Sequence, residues 1–188
     1  MNLFFATQNK HKLAEAQAVL GKHGITVVQL AVPKVEDKGA TIQEVAKREA
    51  KRLAREHGKP VMVDDTGIFF AAYKSFPGAH PKLMFECLGY EGLLKLLEGK
   101  SRAAYFLCCV AYCAPGKEPV LFEGRLDCTL TEQVFDADKD VMPYERIMVV
   151  NGMDKPISSL TRKEKNRISH RAKAFEGMAA WLVKRKGV

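Results

Sequence analysis

The opening of the chain constrains the fold more than any other stretch, because two strand patterns enclose a helix pattern there. Residues 2–7, NLFFAT, form a short apolar run typical of a buried strand, and residues 25–30, ITVVQL, form a second one. Between them, apolar residues recur at helical spacing from Leu13 to Leu20, and glycines that can end a helix follow. A strand, a helix and a strand in this order predict an α/β fold.

The middle of the chain continues this alternation. Thr41 and Glu44 form a capping-box pattern that begins a helix, which Gly58 can end. Residues 60–65 then predict a strand that ends on two carboxylates, and residues 66–73 predict a turn followed by a second strand. We expect the helix that follows to be interrupted at Gly89. After this helix, two long strands should pair antiparallel, and a short strand should follow near residues 146–150.

The last helical region, opened by a second capping-box pattern at Thr161, contains a local contradiction. Apolar residues recur there every seven positions, and on one continuous helix His170 would point almost opposite to that stripe, away from Lys165. A break resolves the conflict. We expect a short helix to end near Asn166 and Ser169 to cap a new helix, whose first turn would present His170 and Arg171 to an anion.

Composition narrows the class of protein. With 188 residues, 47% of them apolar, and no linker-like or repetitive tract, residues 1–188 predict a single domain. No segment reaches the ~20 apolar residues of a membrane helix, and no targeting segment is recognisable, so we expect no membrane partner and a cytoplasmic location. The five cysteines fit neither a disulfide framework nor a zinc pattern, and reduced, packed thiols are expected.

The net charge of +8 indicates attraction to polyanions, and the charge alone does not choose between nucleic acid and small phosphorylated ligands. At the first strand-to-helix junction, Thr7, Asn9 and Lys12 could cradle phosphate oxygens, although the glycines of a P-loop are missing. Taken alone, the same residues favour an ordinary helix cap over a phosphate cradle. Both interpretations stay open on the sequence.

Asp64 and Asp65 are the second candidate feature. A carboxylate at the end of a strand suits Mg²⁺, which often binds one or two carboxylates together with substrate phosphates. The alternative is a pair of turn-forming residues that accept hydrogen bonds from backbone amides. A phosphate cradle, a carboxylate for a metal and a Lys/His/Arg cluster are together the parts that phosphoanhydride cleavage needs, so the sequence predicts a nucleotide hydrolase.

The ordered motifs resemble one family over nearly the whole chain. They are the pattern T-x-N-x-x-K-x-x-E from Thr7 to Glu15, then VDDTG, FPGAHPK, EGLLKLLEG, RAAYFLC, LFEGRL and finally EKNRISHRAKAF. This set is similar to the inosine triphosphate pyrophosphatases, which hydrolyse deaminated purine nucleoside triphosphates such as ITP, dITP and XTP to the monophosphate and pyrophosphate. The resemblance implies an elongated mixed α/β sheet with flanking helices, two lobes around a central nucleotide cleft, and a homodimer.

The resemblance also implies roles for individual residues. Asp65 would be the catalytic carboxylate that binds Mg²⁺ and activates water, with Asp64 supporting it and Glu36 as a further metal ligand. The residues implied to bind the nucleoside triphosphate are Thr7, Asn9, Lys12, Thr66, Tyr144, Glu145, Lys165, His170 and Arg171. Among these, Asn9 and Lys12 would hold the triphosphate, and the residues from Lys165 onward would close on the nucleotide.

Two stretches depart from the family pattern. Residues 141–148, VMPYERIM, replace a loop that reads G-F-G-[YW]-D-P-I-F, so Met142 stands for Phe, Glu145 for Asp, and both glycines are lost. In addition, Lys34 follows Pro33 where the family commonly places a metal-binding Glu, and Glu36 lies two residues further on. These departures leave two alternatives: a same-fold pyrophosphatase with altered base choice, as in Maf-like proteins, or a catalytically weakened nucleotide- or nucleic-acid-binding protein. Nucleic acid is not the expected partner.

Overall fold

The computed structural model describes residues 1–32 and 41–186, and these form two compact units. The first unit contains the chain before Gly67, Cys108–Gly124 and the chain from Ser169 onward. The second unit contains Gly67–Leu107 and Arg125–Ile168. The prediction that residues 1–188 form one domain stays a prediction.

Within residues 1–32 and 41–186, the strands form one seven-stranded mixed sheet, which confirms the predicted α/β class. They are β1 (Asn2–Ala6), β2 (Thr26–Leu30), β3 (Val61–Phe70), β4 (Pro77–Gly78), β5 (Ala103–Cys113), β6 (Val120–Leu130) and β7 (Met148–Val150). Their order is β2-β1-β3-β5-β6-β7, with β4 paired to β3. β1 runs parallel to both β2 and β3, with Phe4 opposite Val28 and Phe5 opposite Met62, whereas β4 is antiparallel to β3 and β7 to β6.

The helices are α1 (Lys10–Leu20), α2 (Ile42–His57), α3 (Pro81–Lys95), α4 (Arg162–Ile168) and α5 (His170–Lys186). Short 3₁₀ turns occur at Gly21–His23, Pro143–Arg146 and Ile157–Ser159. The capping box that predicted α2 is present: the Thr41 hydroxyl accepts from the Glu44 amide at 3.2 Å, and the Glu44 carboxylate accepts from the Thr41 amide at 2.8 Å. The predicted interruption of α3 is confirmed by Gly89, whose φ of 59° is not helical.

The prediction that a strand ends at Asp64 and Asp65 is wrong. β3 continues through both residues to Phe70, so the expected turn and second strand are one uninterrupted element. Both aspartates are buried rather than turned out to water. A buried carboxylate is tolerated when it is paired and hydrogen-bonded, and the partners that provide this come from distant parts of the chain.

The predicted break before the last helix is confirmed. α4 ends at Ile168, two residues later than expected, and α5 begins at His170. The Ser169 hydroxyl accepts from the Ala172 amide at 3.0 Å, which is the hydrogen bond of an N-cap. His170 and Arg171 therefore lie in the first turn of α5, as the sequence pattern indicated.

Each unit has its own hydrophobic cluster. In the first, α1 and α5 pack together, and Phe5 of β1 meets Phe175 of α5 edge to face with ring centroids 5.8 Å apart. In the second, residues such as Phe70, Leu93 and Ile147 are almost fully buried. All five cysteines are free thiols, and only Cys87 is exposed. Among the helices of residues 1–32 and 41–186, none combines the length and apolar character needed to cross a bilayer.

Candidate functional site

Asp64 of β3 is the centre of a buried ion-pair network in the first unit. One of its carboxylate oxygens accepts from the Lys12 ammonium at 2.9 Å, and the other accepts from Nε of Arg171 at 2.9 Å. Burial by itself would raise the pKa of the Asp64 carboxyl, but the charges and hydrogen bonds of Lys12 and Arg171 hold that pKa well below its usual range. Asp64 therefore carries a negative charge at neutral pH.

Arg171 joins Asp64 to a second carboxylate, that of Glu15 on α1. Its Nη1 donates to Glu15 at 2.6 Å, and the Ser169 hydroxyl donates to the other oxygen of Glu15. The side chains of Arg171 and Glu15 are only 2% and 4% exposed. Burial would lower the pKa of the Arg171 guanidinium, but the two carboxylates raise it above its ordinary value. The cations Lys12 and Arg171 thus balance two carboxylates inside the unit.

Thr66 connects this network to the neighbouring carboxylate, Asp65. Nη2 of Arg171 donates to the Thr66 hydroxyl at 3.3 Å, and the Thr66 amide donates to Asp65 at 3.0 Å. Asp65 is 4% exposed. Consecutive side chains of a strand point to opposite faces, which lets the two aspartates have different environments although they are adjacent in sequence. Asp64 is the counter-ion of two cations, and Asp65 lies next to it with a backbone amide on one oxygen.

Cys108 of β5 also contacts Asp64. Its thiol donates to the carboxylate at 3.8 Å. Burial and the charge of Asp64 raise the pKa of the Cys108 thiol to about 12, so it stays protonated and acts as a weak donor. The sequence indicated only that this cysteine lies in a buried strand.

At the start of α1, the structure shows the helix cap that was one of the two interpretations of this motif. The Thr7 hydroxyl accepts from the Asn9 amide at 3.1 Å, and Oδ1 of Asn9 accepts from the amides of His11 at 2.9 Å and Lys12 at 3.3 Å. These amides are bonded within the turn itself. Contacts of Thr7 and Asn9 with phosphate stay a prediction, whereas Lys12 projects its ammonium onto Asp64.

The structure thus divides the predicted residues between the two units. The first unit contains Thr7, Asn9, Lys12, Asp64, Asp65, Thr66, His170 and Arg171, and the second contains Tyr144, Glu145 and Lys165. Sequence reasoning did not assign network roles to Glu15 and Ser169. A signal for Glu15 existed, because Lys12 and Glu15 are three residues apart on α1 and such pairs share a helix face.

In the second unit, Lys165 of α4 pairs with Glu145. The ammonium and the carboxylate are 2.5 Å apart, and the two side chains are 20% and 8% exposed. Tyr144 lies in the hydrophobic cluster at 5% exposure, and its hydroxyl donates to the Pro81 carbonyl at 2.9 Å. Burial raises the pKa of the Tyr144 hydroxyl, which keeps it a donor. Tyr144 is therefore a packing residue in this structure, and its contact with a base stays a prediction.

The segment that carries Glu145 is hydrogen-bonded to α3. The Tyr90 hydroxyl donates to the Pro143 carbonyl at 3.1 Å and accepts from Nη1 of Arg146 at 3.1 Å. Nε of Arg146 also donates to the Asp136 carbonyl at 3.2 Å. These bonds hold the stretch in which the sequence lacks the two glycines of the family pattern.

The side chains that the structure describes show which of the predicted metal ligands could bind Mg²⁺. In the part of the chain that the structure describes, no group of three or more His, Cys, Asp or Glu side chains is arranged to hold a metal ion. Asp65 fits Mg²⁺ as a single carboxylate, since this ion commonly takes one or two protein carboxylates and completes its shell with water and phosphate. Both oxygens of Asp64 already accept from cations. Glu36 and Lys34 lie outside the described residues.

Comparison with known proteins shows one consistent relationship. A model of the Ham1 family matches residues 3–181. A dITP/XTP pyrophosphatase of Methanopyrus kandleri is 37% identical over 182 residues, with 96% of each chain covered. An inosine triphosphate pyrophosphatase of Aspergillus fumigatus is 38% identical over 187 residues, with 97% of this chain and 95% of the relative covered. The structure of a HAM1 protein from Coxiella burnetii has a TM-score of 0.79 and 26% identity, with 98% of this chain and 99% of that chain covered.

Proposed function

The chain belongs to the Ham1 family, and from this we propose that it is a nucleoside triphosphate pyrophosphatase that hydrolyses deaminated purine nucleotides such as ITP, dITP and XTP. The products are the nucleoside monophosphate and pyrophosphate. One observation within the first unit carries the chemical part of the proposal: the buried carboxylate of Asp65 lies beside a network that holds Lys12 and Arg171 on Asp64.

Asp65 is the residue we propose to hold Mg²⁺ and to assist attack on the α-phosphorus. When bound, Mg²⁺ would neutralise charge on the phosphate oxygens and lower the pKa of a coordinated water molecule. The chain itself contributes a carboxylate with little solvent around it, oriented by the Thr66 amide at 3.0 Å. Such preorganisation removes the need to reorient the group during the reaction.

The side chains of Lys12 and Arg171 differ in solvent exposure and in the number of groups that bind them, and this suggests different roles. The Lys12 side chain is 18% exposed and is held by one carboxylate, so its ammonium can reach a phosphate while Arg171 continues to neutralise Asp64. Arg171 is 2% exposed and bonded to Asp64, Glu15 and Thr66. The geometry therefore favours Arg171 as a residue that fixes the network, with Lys12 as the cation that meets the triphosphate.

For the base, we propose contacts from Lys165 and Glu145, which both lie in the second unit, and a role of His170 at the base stays a prediction. The Lys165–Glu145 pair provides a donor and an acceptor, which are the groups that read the edge of a purine. Specificity of this kind is strong when an unsuitable base leaves the buried carboxylate of Glu145 unpaired.

A panel of triphosphates tests the proposed activity. Pyrophosphate release is measured for ITP, XTP, dITP, ATP, GTP, CTP and UTP with Mg²⁺, for the wild type, Asp65→Asn and Asp138→Asn. We expect ITP and XTP to be preferred, Asp65→Asn to lower kcat by roughly a hundredfold or more, and the exposed control Asp138→Asn to match the wild type. Full activity of Asp65→Asn would remove Asp65 from the mechanism.

The same panel separates the alternatives. A preference for pyrimidine triphosphates would favour altered base choice, which the burial of Tyr144 makes worth testing. No turnover of any triphosphate, together with salt-sensitive binding to RNA or DNA, would favour a binding protein, which the net charge of +8 suits. A homodimer, which the family resemblance implies, and a cytoplasmic location, which we expected because no targeting segment was recognisable in the sequence, are further proposals.

A further inference from the structure

Gly124 of β6 lies directly against the backbone of the first turn of α5, within the first unit. A Cβ atom placed on Gly124 would be 1.9 Å from the His170 carbonyl oxygen and 2.9 Å from the Ala174 amide nitrogen. Both neighbours are main-chain atoms, so no change of rotamer could make room. At this point β6 tolerates only a glycine if α5 is to start where it does.

The turn that packs on Gly124 contains the arginine of the ion-pair network. Arg171 follows His170 directly, and its guanidinium donates to Asp64, Glu15 and Thr66. Ser169 ties the same turn to α1 through Glu15 and caps α5 through the Ala172 amide. The place of the guanidinium is thus set by where the helix begins.

We propose that Gly124 is a positioning residue for the pyrophosphatase reaction, which lets the first turn of α5 approach β6 closely enough to hold Arg171 on Asp64. This inference rests on the proposed function for its kinetic consequences, but not for its structural ones. Gly124 acts through Arg171, and through Asp64 on Lys12, the cation proposed to meet the triphosphate.

The size of the expected displacement follows from the contact distances. To reach even a tight contact of 3.0 Å, the His170 carbonyl would have to withdraw by about 1 Å, which is 3.0 minus 1.9. A hydrogen bond of 2.9 Å that lengthens by this amount is lost. Displacements of this size near a reacting centre can lower kcat by roughly a hundredfold.

Gly124→Ala tests the proposal, with Gly177→Ala as the matched control. Gly177 lies on α5, the helix that Gly124 contacts. A Cβ atom placed on Gly177 would meet only a Phe122 ring atom, at an ordinary contact distance of 3.8 Å. We expect Gly124→Ala to lower kcat for ITP by about tenfold to a hundredfold and Gly177→Ala to leave it unchanged. Equal kcat in both variants would overturn the proposal.

The structural readout is the Nε–H signal of Arg171 in ¹⁵N NMR spectra, identified by its loss in Arg171→Lys. This proton is buried against Asp64 and should exchange slowly with solvent in the wild type and in Gly177→Ala. We expect the signal to shift or to exchange fast in Gly124→Ala. An unchanged signal would overturn the proposal. Because this measurement needs no substrate, it decides the proposal even if the wild type fails to hydrolyse ITP.

A double-mutant cycle distinguishes positioning from general loss of stability. If Gly124 acts through Arg171, Gly124→Ala should have little further effect on kcat in an Arg171→Lys background, whereas independent effects would multiply and count against the proposal. Should Gly124→Ala fail to fold, the same measurements are made on Gly124→Ala combined with Gly177→Ala, because alanine in the regular interior of α5 stabilises that helix. A kcat and an Arg171 signal equal to those of Gly177→Ala alone would contradict the proposal.

Discussion

At the scale of single residues, the neighbouring aspartates of β3 have separate roles. Asp64 accepts from Lys12 and Arg171 and serves as their shared counter-ion. Asp65 accepts from a backbone amide and is the carboxylate proposed for the metal and the attacking water. Two adjacent acids in a sequence therefore need not form one paired acidic site.

Removing the charge of Asp64 should destabilise the fold. Asp64→Asn would leave Lys12 and Arg171 facing a neutral amide in a buried setting, and breaking a buried pair on one side costs about 3–5 kcal/mol. Urea denaturation at neutral pH measures the free energy of unfolding, with the exposed Asp138→Asn as the control. A loss of less than ~1 kcal/mol would show that the network contributes little to stability.

The pKa of Asp64 predicts how this contribution changes with pH. Because that pKa is lowered in the folded state by Lys12 and Arg171, although burial opposes them, the stabilisation is fully present above the unfolded value of about 3.9. It is lost as the pH falls below that value and through the lower folded pKa. The difference in unfolding free energy between the wild type and Asp64→Asn should therefore be constant near neutrality and shrink in acid. A difference that shrinks already between pH 8 and pH 6 would contradict this.

At the scale of elements, α3 shows how one backbone conformation can orient a neighbouring segment. Gly89 interrupts the helix with a φ of 59° and a ψ of −170°. The next residue, Tyr90, then donates to the Pro143 carbonyl and accepts from Arg146. The kink thus helps to hold the 3₁₀ turn in which Glu145 lies.

Gly89→Ala should lower the stability of the fold by about 1–3 kcal/mol, because an L residue is strained in this conformation. Gly177→Ala, in the regular interior of α5, should instead stabilise it by about 0.5–1 kcal/mol. Chemical denaturation of both variants measures these opposite signs. If Gly89→Ala were as stable as the wild type, the kink would not constrain α3.

At the scale of the whole molecule, the net charge of +8 bears on the proposed homodimer. Two copies with the same charge repel each other, and salt screens this repulsion, with a Debye length of about 10 Å at 0.1 M ionic strength. We expect light scattering to give twice the 21.0 kDa chain mass, and the dimer fraction at low protein concentration to rise with salt. The chain mass alone at every protein and salt concentration would rule out the dimer.

The sequence by itself determined the local structure and the family. The capping box at Thr41, the interruption at Gly89 and the break at Ser169 are set by interactions within a few residues, so their patterns could be recognised. The ordered motifs identified the family for the same reason, since they are read along the chain. The strand boundary after Asp65 failed because local propensity does not show that distant cations neutralise a carboxylate.

Only the tertiary structure decided how the charged residues combine. Lys12 and Arg171 lie 52 and 107 positions from Asp64, and nothing in the local pattern specifies that all three meet. The requirement for glycine at position 124 likewise arises only where β6 meets α5. The physical reason is that a helix or strand follows from interactions between near neighbours, whereas the pairing of buried charges and the closest backbone contacts depend on how those elements pack.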